Sequence, residues 1–243
     1  VFINGEQNAL PDRAQLQFSY FVQPKTRTFN ANVMAERYDI TDPFGIINQQ
    51  NTYRFVGVSD AALNKFKDHP NVGSITPIKE TKGERGNNIF PNDPRYNWNN
   101  DWFGPLYIPE EGKTIDLNLD VLPLYQRIIT EYEGNSLSVK GNQFYINDEL
   151  VSSYTFRQDY YWMMGDNRQN SLDGRGWGFV PFDHEVGKPV FIWMSWNGIK
   201  NPRWNRFFTT VHGSGKRVSY LIPFLALLLG WYGYSKWRKR KKA

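Results

Sequence analysis

Cysteine is missing from all 243 residues. That excludes disulfides, thiolate metal sites and a Cys nucleophile, and leaves the redox compartment open. Histidine is scarce: His69, His184 and His212 lie far apart, without metal-ligand spacing, so no structural metal is expected. Acidic residues are missing from the last stretch, 216–243, which holds eight Lys or Arg, at 216, 217, 236 and 238–242. The formal +5 of the whole chain therefore sits in its tail, and residues 1–215 retain 21 basic against 24 acidic side chains, a net −3. A nucleic-acid footprint needs basic surface on the folded domain itself, so no nucleic-acid partner is expected. Large rings, by contrast, are abundant, with nine Trp, 14 Tyr and 17 Phe to dominate the packing. The length suits one or two folded domains with a sizeable core.

The chain opens on Val1 in a strand-like pattern, Val-Phe-Ile-Asn-Gly, and reads as a fragment without its N-terminal portion. Residues 1–7 (VFINGEQ) resemble residues 144–150 (FYINDEL), each an alternating run into Asn-Gly or Asn-Asp, which is a hairpin signal. Ser59 to Asp68 reads as a short helix with Ser59 as N-cap and His69-Pro70 as its stop. Asn71 to Pro105, rich in Asn, Gly, Pro and charge, reads as loop. Thr114 to Leu119 alternates as a half-buried strand, with Ile115, Leu117 and Leu119 on one face. Leu122 to Glu131 reads as an amphipathic helix through Tyr125, Ile128, Ile129 and Tyr132, ended by Gly134-Asn135. Residues 137–164 alternate into two or three strands, and Pro189 to Trp196 is expected as another, buried one.

Val218 to Ser235 is an 18-residue run without charge, about 27 Å as a helix against roughly 30 Å of hydrocarbon. Six cations follow it and only Lys216-Arg217 precede it, so the spacing predicts a transmembrane helix with membrane lipid as partner. The positive-inside rule then puts the tail in the cytoplasm and residues 1–215 outside. The alternative is a buried C-terminal helix, which a cluster of six cations disfavours.

The densest chemistry lies in Gly165-Asp166-Asn167-Arg168-Gln169-Asn170-Ser171-Leu172-Asp173-Gly174-Arg175-Gly176-Trp177-Gly178-Phe179-Val180-Pro181, directly after the apolar run Tyr160 to Met164. Asp-Asn and Asp-Gly are turn formers, so either dipeptide alone reads as a surface turn. Together the residues ask for more: Ser171, Asp173 and Arg175 alternate, which in an extended segment turns all three to one face. A buried set of this kind persists only if every charge is satisfied.

This run resembles the C-terminal box G-D-N-R-x-x-S-x-D-S-R-x-W-G-x-V-P of bacterial type I signal peptidases, with Gly174 in place of the usual Ser. The resemblance covers residues 156–196. It implies a mainly β, antiparallel fold of the signal-peptidase type, with a large inserted α+β domain and here a C-terminal transmembrane helix. By the same likeness, residues 1–17 and 134–215 would be parts of the catalytic core, 18–133 the inserted accessory domain, and 216–243 the membrane helix with a basic cytoplasmic tail. The family is one of serine endopeptidases that remove signal peptides from exported preproteins with a Ser/Lys dyad and no cofactor, at the cell (inner, cytoplasmic) membrane. Ser171 matches the Ser that orients the Lys, Asp173 and Arg175 a salt-bridged pair around the dyad, and Gly165, Asp166, Asn167 and Arg168 the turn that places Ser171. All are supporting positions.

The dyad itself is not recognisable. No Ser stands in a Ser-Met-x-Pro setting, and the Lys-Arg pairs at Lys216-Arg217 and Lys239-Arg240 lack the turn that follows the family's Lys. The expectation is therefore a signal peptidase lacking the dyad in this stretch, inactive as it stands. The alternatives are a non-catalytic membrane-anchored homologue that binds exported proteins or partners, and a plain membrane-tethered β-module.

Overall fold

The structure, a computed structural model, describes residues 1–11, 14–48, 50–197, 201–211 and 218–241. His212 and Lys216-Arg217 lie outside the described residues. The chain divides into two compact units, residues 1–14 with 187–243, and residues 15–186.

The first unit begins with a hairpin of β1 (Phe2–Ile3) and β2 (Glu6–Gln7). Asn4 and Gly5 turn it with φ of 52° and 85°, the paired positive φ that the strand twist favours.

In the second unit, β3 (Gln17–Pro24) is an inner strand of an antiparallel sheet. Its partners are β4 (Phe44–Ile46), β5 (Tyr53–Ser59) and β6 (Val72–Pro77), in the order β4-β5-β3-β6. Helix α1 (Ala31–Tyr38) is started by the Asn30 side chain, which accepts from the amides of Asn32 and Val33. Helix α2 (Asp60–Phe66) is started by Ser59, as the sequence predicts, through a hydrogen bond from Ala62 N–H. Both helices press onto the sheet, where Met34, Ala62 and Phe66 join Val22, Phe55 and Val58 in one buried cluster. Strand β6 corrects the reading of Asn71–Pro105 as loop: Val-Gly-Ser-Ile-Thr-Pro has little strand character of its own and pairs because β3 lies beside it. Residues 78–105 are irregular.

Further along, β7 (Thr114–Asp116) pairs with β11 (Ser153–Thr155). Leu117 is buried and Leu119 exposed, so the inward face ends one step early. Helix α3 (Leu122–Arg127) continues into a π-helical turn, Ile128–Tyr132, and buries Tyr125, Ile128 and Ile129, the positions its periodicity marks. Gly134 follows with a φ of 66°. A meander of β8 (Leu137–Lys140), β9 (Gln143–Ile146) and β10 (Glu149–Val151) comes next. Its second turn, Asn147-Asp148 with φ of 51° and 67°, repeats the geometry at Asn4-Gly5, so the likeness between the two sequence stretches is a likeness of hairpins. Strand β12 (Tyr160–Tyr161) pairs with β13 (Val180–Pro181), and helix α4 (Gly174–Trp177) lies between them in sequence. A second buried cluster draws Phe90, Leu117, Leu122, Leu124, Tyr125, Ile128 and Ile129 together with Phe144, Ile146, Tyr154, Phe156, Tyr160 and Phe179.

The first unit resumes with β14 (Phe191–Ile192), β15 (Trp196–Asn197), β16 (Asn201–Pro202), β17 (Thr209–Thr210) and α5 (Leu221–Arg240). The buried strand expected over Pro189–Trp196 is corrected to two short pieces with Phe191, Trp193 and Trp196 exposed. The partner β17 offers only two residues, and the rings contact one another instead: Phe191 meets Phe208, and Trp196 meets Phe207. Helix α5 is joined to this hairpin at its start, by Tyr220 N–H on Phe208 O and by Phe224 stacked on Phe208 at 4.6 Å.

The transmembrane helix is also corrected. Among the described residues no helix is long and apolar enough to cross a membrane. Helix formation starts at Leu221 rather than Val218, because Ser219 bridges to Thr209. The strongly apolar part is then residues 221–229, about 13.5 Å of rise against roughly 30 Å of hydrocarbon. Beyond it the helix carries two glycines, four aromatic residues and the cations Lys236, Arg238, Lys239 and Arg240.

Candidate active-site box

Residues 165–175 turn back on themselves at the end of the segment that begins with β12. Met163 O accepts Gly174 N–H at 2.9 Å, and Gly165 N–H donates to Asp173 Oδ2 at 2.9 Å, so the two limbs of the box are tied at their base. Ser171 lies across the loop. Its Oγ would be 2.0 Å from a Cβ on Gly165, a contact no side chain could accept, so glycine is the residue that lets the hydroxyl sit there.

Asp173 is the N-cap of α4: its Oδ1 accepts Arg175 N–H at 3.1 Å. The same carboxylate binds the Arg175 guanidinium twice, Nε to Oδ1 at 2.9 Å and the terminal nitrogen to Oδ2 at 2.7 Å. Both side chains are buried, 2% exposed for Arg175 and 7% for Asp173. The remaining guanidinium nitrogen donates to Asn100 O at 3.1 Å. Burial pushes the Asp173 carboxyl up, but the hydrogen bonds from Arg175 and from the Gly165 and Arg175 amides outweigh it and hold the group below the usual carboxylate range. The reading of Ser171, Asp173 and Arg175 as an extended alternating face is corrected here. Asp173 starts a helical turn, which brings Arg175 onto the acid two residues before it.

The other limb, Asp166–Gln169, attaches to the four-stranded sheet. Gln17 N–H donates to Asp166 O at 2.8 Å and Arg168 N–H to Gln17 O at 2.9 Å, a parallel bridge centred on Asn167. Asn167 Nδ2 reaches Asp42 Oδ2 at 3.3 Å over Gly57, where a Cβ would collide with both side chains. Burial and the nearby Arg175 lower the Arg168 pKa, against the pull of Asp166 and Asp173. Asp166 is exposed, and Asn167, Arg168 and Ser171 are half-buried. Leu172, between Ser171 and Asp173, is 90% exposed.

All seven sequence-marked residues, Gly165, Asp166, Asn167, Arg168, Ser171, Asp173 and Arg175, therefore come together in one folded loop. Asp42, Asn100 and Asp101 join them without having been marked, since they contact the box across long stretches of chain, and Gln169 within the box went unmarked because its partners Ser19 and Asp101 are equally distant. Among the described residues no group of three or more His, Asp or Glu side chains could hold a metal. Chemically the loop offers a hydroxyl placed beside a neutralised, buried ion pair.

Residues 111–196 match the family described as signal peptidase, peptidase S26. Signal peptidase I of Buchnera aphidicola subsp. Acyrthosiphon pisum is 61% identical over 64 residues, 26% of this chain and 20% of its own length. That of Haemophilus influenzae is 46% identical over 56 residues, 21% of this chain and 16% of its own. That of Pseudomonas aeruginosa is 29% identical over 148 residues, 56% of this chain and 49% of its own. Over residues 111–196 the chain is similar to bacterial type I signal peptidases. It spans half or less of the length of each of these signal peptidases. No solved structure matches. The signal peptidase segment covers the box and the meander before it, and the four-stranded sheet lies outside it.

Proposed function

We propose that the whole protein is a serine endopeptidase that removes signal peptides from exported preproteins. The observation that carries this reading is the box: its hydroxyl, turn and ion pair fit the surroundings of a Ser/Lys dyad, and it lies within the matched residues. In that reaction the Ser hydroxyl attacks the carbonyl after a small residue. The neutral Lys amine takes its proton and passes it to the leaving amine, and water releases the acyl group. A Lys amine stays neutral near pH 7 only in apolar surroundings, and a Ser hydroxyl such as that of Ser171 orients it without adding charge. The Asp173–Arg175 pair suits the same need, because it brings buried polar groups with no net charge. The Ser and Lys of the dyad are not recognisable among these residues, so residues 1–243 alone are expected to be inactive. Residues 18–133, with the four-stranded sheet, would be the inserted accessory part. The substrate would bind as an added β-strand with shallow pockets for small side chains.

We place the protein at the extracytoplasmic face of the cell membrane, with lipid as a partner. The bare, cation-ended helix α5 supports the lipid contact: it buries none of its residues, and its rings and cations suit an anionic surface. Full-length protein in detergent should process a preprotein with a small-x-small cleavage site, and Ser171→Ala should slow it by about tens-fold with the fold intact. A full-length protein that binds the preprotein without cutting it would instead identify a non-catalytic homologue.

A further inference from the structure

Gln169 occupies one of the variable positions of the box, yet its side chain makes three long-range hydrogen bonds. Oε1 accepts Ser19 N–H at 2.9 Å, and Nε2 donates to Asp101 Oδ1 at 3.1 Å and, at 3.5 Å, to Ile78 O. The first bond answers a defect in the sheet. The β3–β5 register shifts between Phe18 and Tyr20, so Ser19 sits in a bulge, fully buried. Its hydroxyl donates to Val56 O and its carbonyl accepts Ile78 N–H, which leaves its own N–H to Gln169. A buried amide of this kind is costly without an acceptor.

The second bond connects the two limbs of the box. Asp101 is itself held in place, its Oδ2 taking Glu80 N–H at 2.8 Å and its N–H donating to Asn99 Oδ1. The neighbouring Asn100 carbonyl is the acceptor for Arg175. Gln169 from one limb and Arg175 from the other therefore grip adjacent residues of a single turn, and Ser171 lies in the chain between them. We infer that Gln169 is a positioning residue: it locks the box onto the bulge of the four-stranded sheet and onto the 99–101 turn, and so fixes Ser171 Oγ over Gly165. This deepens the proposed function, and it rests on that reading for what Ser171 does, though not for the lock itself.

Three variants of the full-length protein test the lock: Gln169→Ala, Gln169→Glu, and Gln169→Glu combined with Asp101→Asn. Amide hydrogen exchange reads the lock without any need for activity. Gln169→Ala should speed exchange at Ser19 and over residues 166–171 by about tenfold or more, with residues 144–156 unchanged. Gln169→Glu sets a carboxylate against Asp101 and should do the same. The double variant should restore protection, because the introduced carboxylate still accepts Ser19 N–H and the introduced amide donates in the reverse direction. In preprotein cleavage kcat should fall and recover in the same order, with KM unchanged. Parent-like exchange in Gln169→Ala, or a double variant no better protected than Gln169→Glu, overturns the lock. Protection that follows the expected order in a protein that cleaves no preprotein would leave the lock standing and remove the peptidase reading.

Discussion

At the scale of the residue, the Asp173–Arg175 pair is the most exacting feature of the box. Asp173→Ala strands a buried guanidinium and should cost about 3–5 kcal/mol in chemical denaturation. The carboxyl is held below its ordinary pKa, so its contribution is fully present above the unfolded value, near pH 4, and is lost as the pH falls through the lower folded value. The parent should thus lose stability steeply in acid, and Asp173→Asn should show a flatter profile below about pH 4. Gly174 is a different kind of constraint. A Cβ there would lie 2.9 Å from Met163 O and 3.4 Å from the Trp162 ring, so Gly174→Ser should destabilise by about 1–3 kcal/mol despite the serine usual in the family. A melt equal to the parent's would show that the Met163 backbone yields. The residues of the box were legible in sequence because they are consecutive. Gln169, Asp42 and Asp101 were not, because their meaning depends on partners 68 to 150 residues away.

At the scale of the element, a carboxylate buried at the end of the π-helical turn joins three segments. Glu133 accepts the hydroxyls of Tyr154 and Tyr160 and the Arg157 amide, so the turn after α3, strand β11 and strand β12 share one anchor. Burial first, then the hydrogen bond to Glu133 and its charge, raise the pKa of both phenols above their ordinary value. Their contribution is complete below about pH 10 and is lost as the pH rises through the raised folded values. Melting between pH 8 and 11 should show this alkaline loss, and Tyr154→Phe should reduce it while lowering stability by about 1–3 kcal/mol at pH 7. Local elements read well from sequence where a cap or turn states them, as at Ser59, Gly134, Asn4-Gly5 and Asn147-Asp148. Strand β6 and the region from Phe191 to Trp196 read poorly. In both, hydrogen bonding to a distant neighbour decides the outcome, and apolar composition alone does not reveal how much neighbour is present.

At the scale of the whole molecule, removal of residues 221–243 should leave the core of residues 15–186 unchanged, within about 0.5 kcal/mol, since α5 contributes no buried residue. The same truncation should abolish salt-sensitive co-sedimentation with anionic phospholipid vesicles; retained binding would locate the lipid contact elsewhere. The bridge between Gln17 and Asn167 has a temporal consequence. It closes a loop of about 150 residues, and closure on that span offers no enthalpy until the sheet around Ser19 already exists. During synthesis β3, β5 and β6 can assemble long before Gln169 leaves the ribosome. The box therefore matures after the sheet, and a chain arrested before Gly165 would hold a finished sheet with Ser19 N–H still waiting for its acceptor.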